Sequence, residues 1–170
     1  VVGHGANGSR YMAEEVAEFL VPRGFAVIGA DALEHGDHPV ASEGLDVDFV
    51  RFLGLNLDPL ELNAFMLRGN FNQSVLDWVQ LVELVARDAD VDGDGTNDFD
   101  NERIGYIGLS LGSLLGSGVL ALSDDIDASL LSIGGGGLIN FVTDIEEIEP
   151  FRPLIESLAG GPDELDQVLL

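Results

Sequence analysis

The stretch Gly108-Leu109-Ser110-Leu111-Gly112 follows an apolar run, Ile104 to Ile107, and opens the small-residue segment Ser113 to Ala121. An apolar strand, a sharp turn with a serine between two glycines, and then a helix is the local geometry that presents a serine hydroxyl as a nucleophile. Strand and helix can pack closely there only where side chains are almost absent, and the two glycines meet that need. The pattern predicts a strand–turn–helix unit with Ser110 at its apex. A tight turn without chemistry is the alternative interpretation.

The rest of the chain alternates between apolar strands and amphipathic helices. The spacing of apolar residues predicts a strand ending at Val1-Val2, a helix over about 10–21, a strand over 25–28, a helix over about 71–87 capped by Asn70 or Asn72, and a strand over 128–133. Strands and helices that alternate with short connections form a parallel sheet covered on both faces. The expected fold class is therefore α/β, a three-layer sandwich.

Composition limits the possible partners of the chain. Its 170 residues are enough for a single domain, and the net charge of −24 comes with seven basic residues, all of them arginine. Such a surface repels phosphates, so we expect no nucleic-acid partner. No apolar run reaches the ~20 residues that a membrane-spanning helix needs, so we expect no transmembrane segment. Cations are the natural small partners of this surface.

An aspartate-rich loop over 88–102 precedes the strand that leads to Ser110. Compared with the EF-hand pattern, Asp90, Asp92 and Asp94 occupy the first three ligand positions and Gly95 the sharp turn. The remaining candidate ligands are Thr96 through its carbonyl, Asp98 at the ninth position, and Glu102, which comes one residue later than the pattern requires. Clustered carboxylates repel one another without a cation, so we expect a structural Ca²⁺ here and no organic cofactor. A merely solvated acidic loop is the alternative.

Taken together, these motifs resemble the α/β-hydrolase family, and within it the secreted bacterial lipase and esterase-like proteins of the virulence-factor lipase type. The resemblance covers most of residues 1–137 and is carried by His4-Gly5-Ala6-Asn7-Gly8-Ser9, Phe25 to Gly36, Gln73 to Arg87, Asp90 to Arg103 and Gly108 to Gly112. It implies that Ser110 is the nucleophile and that the backbone N–H groups of Ala6 and Leu111 form the oxyanion hole. It implies a structural role for His4, an ester or lipid-like substrate, and an extracellular or cell-envelope location.

The chain departs from this family in its histidines. The family order is serine, then acid, then histidine, yet no histidine follows His38. We therefore expect a partial hydrolase domain whose acid and base lie outside these residues, with a lid-like insertion over 33–68 and the start of a cap over 138–170. A non-catalytic, calcium-stabilised extracellular module of the same fold is the second hypothesis. His35 and His38 are expected to fix the turn after the strand at 25–28; a metal site with Asp37 is the alternative for them.

Overall fold

The computed structural model describes residues 1–39, 48–57, 60–87 and 89–135, together with Pro153, Glu156, Ser157 and Gly161. The expected cap over 138–170 lies outside the described residues apart from those four positions. The expected insertion over 33–68 is described except at 40–47 and 58–59.

The elements alternate between strand and helix along most of the chain. In order they are β1 (Val2–Gly3), α1 (Met12–Leu20), a 3₁₀ turn (Val21–Arg23), α2 (Asp48–Phe52), β2 (Leu55–Leu57), β3 (Leu60–Leu62), α3 (Ala64–Arg87), β4 (Gly105–Leu109), α4 (Leu111–Leu122) and β5 (Ala128–Ser132). The predicted strand–turn–helix unit around Ser110 and the predicted strand after it are therefore formed.

The sheet is small, open and parallel. Its strand order is β1-β4-β5, with Gly3 opposite Gly108 and Ser132 opposite Leu109. On the other side of β1, Val2 forms an isolated parallel bridge with Gly29, and its N–H donates to the Ile28 carbonyl at 2.8 Å. The carboxyl ends of all these segments meet at one edge of the sheet, which helices surround.

The predicted strand over 25–28 was wrong in extent. The structure forms only the single bridge between Val2 and Gly29, and residues 25–28 are not part of a strand. Phe25 is 57% exposed, as an unpaired segment allows. The helix predicted over 10–21 begins at Met12 and ends at Leu20 in a single 3₁₀ turn that contains Pro22.

The α3 helix begins earlier than predicted, and its predicted cap was also wrong. The Asn63 side-chain oxygen accepts the Met66 N–H at 3.0 Å and so caps the first turn. Asn70 lies inside α3, where its buried amide donates to the Phe52 carbonyl at 3.1 Å and thereby caps the end of α2. The described part of the expected insertion over 33–68 contains α2, the antiparallel pair β2 and β3, and the first turn of α3.

The core lies between the sheet and the helices α3 and α4. Among its fully buried side chains are Trp78 and Val82 of α3, Leu115 and Val119 of α4, and Tyr106 of β4. α4 packs against all three strands and against α3, whereas α1 contacts β1. The small residues of α4 allow this helix to lie directly on the strand that precedes it. In the part of the chain described, no helix has both the length and the apolar character required to cross a bilayer.

Candidate functional site

Backbone strain in the described residues is concentrated at the carboxyl edge of the sheet. The non-glycine residues with positive φ there are Glu34 (60°), Ser110 (52°) and Ile133 (57°). Each follows the carboxyl end of a sheet segment: Glu34 follows the bridge at Gly29, Ser110 follows β4 and Ile133 follows β5. Strained backbone collects at functional sites, and open parallel sheets bind ligands at this edge. The edge is therefore the candidate site.

Ser110 occupies the turn between β4 and α4 with φ 52° and ψ −112°. The flanking glycines are sterically required. A methyl group on Gly108 would overlap the Gly112 carbonyl, and one on Gly112 would overlap the Gly3 carbonyl. The Ser110 side chain is half-buried and makes no hydrogen bond to any described residue. Its hydroxyl is thus presented at the site without a structural task.

Two further hydroxyls, which no sequence motif indicates, hold this turn. The buried Tyr106 hydroxyl donates to the Gly112 carbonyl at 2.7 Å. Burial raises the pKa of Tyr106, so this hydroxyl stays a donor at physiological pH. The Ser113 hydroxyl lies 2.7 Å from the carbonyls of both Gly108 and Ser132. A serine facing the core of an otherwise apolar helix was the only sequence signal for this role.

The loop after β1 lies against Ser110. A methyl group on Gly5 would sit 3.7 Å from the Ser110 Cβ, an ordinary van der Waals distance. Gly5, Ala6, Asn7 and Gly8 form a turn closed by the Gly8 N–H, which donates to the Gly5 carbonyl at 3.0 Å. The structure therefore brings together the His4-Gly5-Ala6 loop and the serine turn, two segments about a hundred residues apart in the chain.

His4 is buried and fully engaged with backbone. Its Nε2 accepts the Ala32 N–H at 2.9 Å, so the proton of the neutral ring is on Nδ1, which donates to the Gly5 carbonyl at 2.8 Å. Burial lowers the pKa of His4; the hydrogen bond to Gly5 opposes this, and the neighbouring His35 adds to it. His4 thus ties the loop after β1 to the segment after Gly29 and holds its position as a neutral ring.

His35 is also buried and faces two carbonyls. Its Nδ1 lies 2.7 Å from the Leu33 oxygen and its Nε2 lies 2.7 Å from the Ala6 oxygen. Asp37, meanwhile, pairs with Arg10 at 2.8 Å. Both ring nitrogens of His35 face backbone oxygens, and among the described residues only Asp90, Asp92 and Asp98 group their oxygens closely enough for a metal ion. The alternative metal site at His35, Asp37 and His38 is therefore not formed by the described residues.

The segment after Gly29 is anchored by one buried carboxylate. Asp31 accepts the Arg10 backbone N–H at 2.6 Å and pairs with the Arg10 guanidinium at 2.7 Å. It also accepts the Asp37 N–H at 3.1 Å. A side chain at Gly36, where φ is 53°, would strike this carboxylate. The start of α1 and the turn that carries His35 are thereby held together.

The backbone N–H groups of Ala6 and Leu111 are predicted to bind an oxyanion. Within the described part of the chain they donate to no acceptor, and Leu111 is fully buried. Buried N–H groups are normally paired, so an unpaired one at the mouth of a turn requires an explanation. A ligand oxygen placed beside Ser110 would provide the acceptor.

None of the chain's three histidines is shown to contact Ser110. His4 and His35 use their ring nitrogens on backbone groups, and the His38 Nε2 lies 3.7 Å from an Asp77 carboxylate oxygen. The described residues thus contain a presented serine and two open N–H groups, without a base in contact with the serine.

The aspartate-rich loop folds around its own carboxylates. Asp90 accepts the N–H groups of Gly93 at 2.6 Å and Gly95 at 2.8 Å, and Asp98 accepts that of Val91 at 2.7 Å. The sharp turn predicted at Gly95 is present, with φ 86°. Oxygens of Asp90, Asp92 and Asp98 lie within 4.8 Å of one another and are exposed. These three carboxylates could hold a metal ion that prefers oxygen ligands.

The other predicted calcium ligands do not join this group. Asp94 accepts the Thr96 N–H at 2.7 Å, and the Asp94 carboxylate does not belong to the three-carboxylate cluster. The predicted role of the Thr96 carbonyl stays a prediction. The Glu102 N–H donates to the Asp100 carboxylate at 3.1 Å. Asp100 also forms an ion pair with Arg103. The hydrogen bond from Arg103 lowers the pKa of Asp100 and keeps this carboxylate ionised. The end of the loop is thus an ion pair, and Glu102 is not among the cluster's oxygens.

Comparisons with models of protein families, with curated proteins and with solved structures gave no match to this chain.

Proposed function

We propose that the chain is the nucleophile-bearing part of a serine hydrolase with an α/β-hydrolase fold. The observation that carries the proposal is a strained, presented Ser110 together with two N–H groups that have no acceptor among the described residues, those of Ala6 and Leu111. In this mechanism the Ser110 hydroxyl attacks a carbonyl carbon, its proton passes to a base, and the carbonyl oxygen becomes an anion held by both N–H groups. The leaving group departs after protonation, and water then releases the acyl group.

The oxyanion site draws on two features of the fold. The Leu111 N–H belongs to the first turn of α4, where the helix dipole favours negative charge. The Ala6 N–H comes from a loop that Gly5 brings against the serine. Losing one such donor typically slows catalysis by ~100- to 1000-fold, so two of them supply a large part of the required stabilisation.

The base and its acid are supplied, in this proposal, by residues outside these 170. Ser110 needs a base within hydrogen-bond reach, and His4, His35 and His38 are committed to other partners. Reading the gene beyond the codon for Leu170 is the first check. An Asp or Glu followed by a loop histidine is expected there.

An ester or lipid-like substrate suits this edge of the sheet better than a charged one. Ile133 follows β5 at the same edge as Ser110 and is 79% exposed, so it offers an apolar surface beside the site. The net charge of −24 disfavours anionic substrates. Ca²⁺ in the aspartate loop would fix the connection into β4, and millimolar extracellular Ca²⁺ suits an exposed site of this kind, which favours export.

The test is labelling of the intact protein with a fluorophosphonate probe, which reacts with activated serines. Wild type should be labelled, and Ser110→Ala should not. Ser117→Ala, which alters an exposed serine of the same helix, is the matched control and should be labelled like wild type. Equal labelling of wild type and Ser110→Ala would exclude Ser110 as the nucleophile. No labelling of any form would favour the non-catalytic, calcium-stabilised module.

A further inference from the structure

We propose that His35 is a positioning residue for the oxyanion hole: its Nε2–H holds the Ala6 carbonyl and thereby orients the loop that presents the Ala6 N–H to the substrate. This inference rests on the proposed function for its chemical meaning. The contact itself is a 2.7 Å hydrogen bond between groups 29 residues apart in the chain.

The first constraint on the Ala6 N–H is the planarity of the Gly5–Ala6 peptide bond. In a trans peptide the C=O and the following N–H point in opposite directions. The Gly5 carbonyl accepts from the His4 Nδ1 at 2.8 Å and from the Gly8 N–H at 3.0 Å. The Ala6 N–H of the same peptide must therefore point away from both donors.

The second constraint acts on the peptide that contains the Ala6 carbonyl. A turn can still rotate about the Ala6 backbone dihedrals if only one of its peptides is held. His35 removes this freedom because it holds the Ala6 carbonyl, which belongs to the peptide that follows. Ala6 thus lies between two fixed peptides, one held through His4 and one through His35. A donor needs this fixation because catalytic groups misplaced by ~1 Å can lose about 100-fold in rate.

The third constraint is the rigidity of the His35 ring, which its neighbours hold in place. The ring is completely buried, its Nδ1 lies 2.7 Å from the Leu33 oxygen, and it packs edge-on against Phe52 at a centroid distance of 5.3 Å. It also lies 5.1 Å from the His4 ring. The Asp31 carboxylate holds the turn that carries His35 by accepting the Asp37 N–H. This contact needs glycine at position 36, because a side chain there would overlap the carboxylate. A side chain fixed on this many sides can fix a loop in turn.

The proton on Nε2 can be observed without any substitution. ¹⁵N NMR of the intact protein should show an Nε2–H on His35 that exchanges slowly with water, with cross-peaks to Ala6 and Asn7. An unprotonated Nε2 on His35 at neutral pH would overturn the proposal, whether or not Ser110 proves to be a nucleophile.

Three variants separate positioning from folding. His35→Phe keeps a ring and removes the Nε2–H donor, whereas His35→Gln keeps an N–H that can reach the Ala6 carbonyl. His38→Gln, in the same turn, is the matched control. With the fluorophosphonate probe, we expect His35→Phe to lower the maximal labelling rate about 100-fold with little change in probe affinity. His35→Gln should recover at least part of this loss, and His38→Gln should match wild type.

The outcomes distinguish this proposal from the one on which it rests. Labelling of His35→Phe at the wild-type rate would overturn the role of His35 while leaving Ser110 as the nucleophile. Absence of labelling in wild type would overturn the proposed function. The role of His35 in holding the loop would then be tested by the backbone order of residues 5–8. In the His35→Phe protein the backbone order parameters of residues 5–8 should fall below about 0.6, from about 0.85 for rigid backbone. Unchanged values would refute the clamp. If His35→Phe does not fold, the Nε2–H measurement and His35→Gln carry the test.

Discussion

At Gly112 the backbone of α4 comes so close to the segment after β1 that no side chain fits. A Cβ there would overlap the Gly3 carbonyl and lie 2.9 Å from the His4 carbonyl, and both are backbone groups that cannot move aside cheaply. We expect Gly112→Ala to lower the free energy of unfolding by about 3 kcal/mol, the upper end of the cost of overpacking a core. Denaturant unfolding of the variant and the wild type measures this difference.

Gly69→Ala is the matched control for this substitution. Gly69 lies in the exposed face of α3, and a Cβ there would meet no atom within 4 Å. The same glycine-to-alanine change should therefore raise the free energy of unfolding by about 0.5–1 kcal/mol, because alanine has the higher helix propensity. Similar effects of the two substitutions would contradict the close approach at Gly112.

His4 makes stability depend on pH in a defined direction. Burial lowers its pKa below the ordinary value of 6.5, so the unfolded chain takes up a proton at a pH where the folded ring stays neutral. The contribution of His4 to stability is complete above pH 6.5 and is lost as pH falls through 6.5 towards the lower folded pKa. We therefore expect the free energy of unfolding to fall with pH in this window.

Two measurements test the His4 prediction. Histidine ring NMR should show neutral His4 as the Nδ1–H tautomer, with a titration midpoint below 6.5. The dependence of unfolding free energy on pH, compared between wild type and His4→Gln, should be steeper in wild type below pH 6.5. A His4 ring that titrates at its ordinary pKa would contradict the assignment.

At the residue scale, the sequence reveals the parts of the site that are local. Gly108, Ser110 and Gly112 lie within one turn, and the steric demands of that turn can be read from their spacing. Tyr106, Ser113 and His35 could not be assigned in the same way, because each acts on a backbone carbonyl. Such acceptors have no sequence signal, and only the folded chain shows which carbonyl lies near which donor.

Among the elements, the aspartate-rich loop makes the clearest prediction. Asp90, Asp92 and Asp98 bring their oxygens within 4.8 Å of one another, and Ca²⁺ binding would relieve the repulsion between them. We expect Ca²⁺ to raise the melting temperature, since a ligand at 100 times its dissociation constant adds ~2.7 kcal/mol to the stability of the folded state. The double variant Asp92→Asn, Asp98→Asn should lose this response.

The control for the calcium loop is the double variant Asp124→Asn, Asp125→Asn. It removes the same formal charge from two exposed aspartates after α4, outside the cluster. It should respond to Ca²⁺ as wild type does. A loss of response in both double variants would indicate a general effect of charge, and a normal response in the loop variant would return the loop to a solvated acidic segment.

The elements differ in how well the sequence predicts them, and the cause is packing. α4 and β5 are strongly patterned and formed as expected. The segment over 25–28 is also apolar, yet only the bridge between Val2 and Gly29 forms beside β1. Asn70 is a residue type that often caps helices. It lies inside α3 instead, where its amide donates a hydrogen bond to the Phe52 carbonyl of α2. Local propensity decides such cases only where no tertiary partner competes.

For the whole molecule, the dominant physical property is the net charge of −24. This figure already includes the seven arginines, two of which pair with carboxylates, Arg10 with Asp31 and Arg103 with Asp100. Mutual repulsion between the remaining carboxylates favours expanded, unfolded conformations. Monovalent salt shortens the screening length from ~30 Å at 0.01 M to about 10 Å at 0.1 M, so it should weaken this repulsion.

We therefore expect NaCl to raise the melting temperature steadily between about 0.01 and 0.5 M, where screening acts over molecular distances. This response belongs to the total charge, so the Asp92→Asn, Asp98→Asn variant should keep it while losing the response to Ca²⁺. Measuring the Ca²⁺ titration at constant ionic strength, with NaCl lowered to compensate, separates the two effects, because a specific site saturates and screening does not. A melting temperature that is independent of NaCl would mean that the acidic surface is already neutralised by bound ions. A calcium response that follows only ionic strength would mean that the loop is not a specific site.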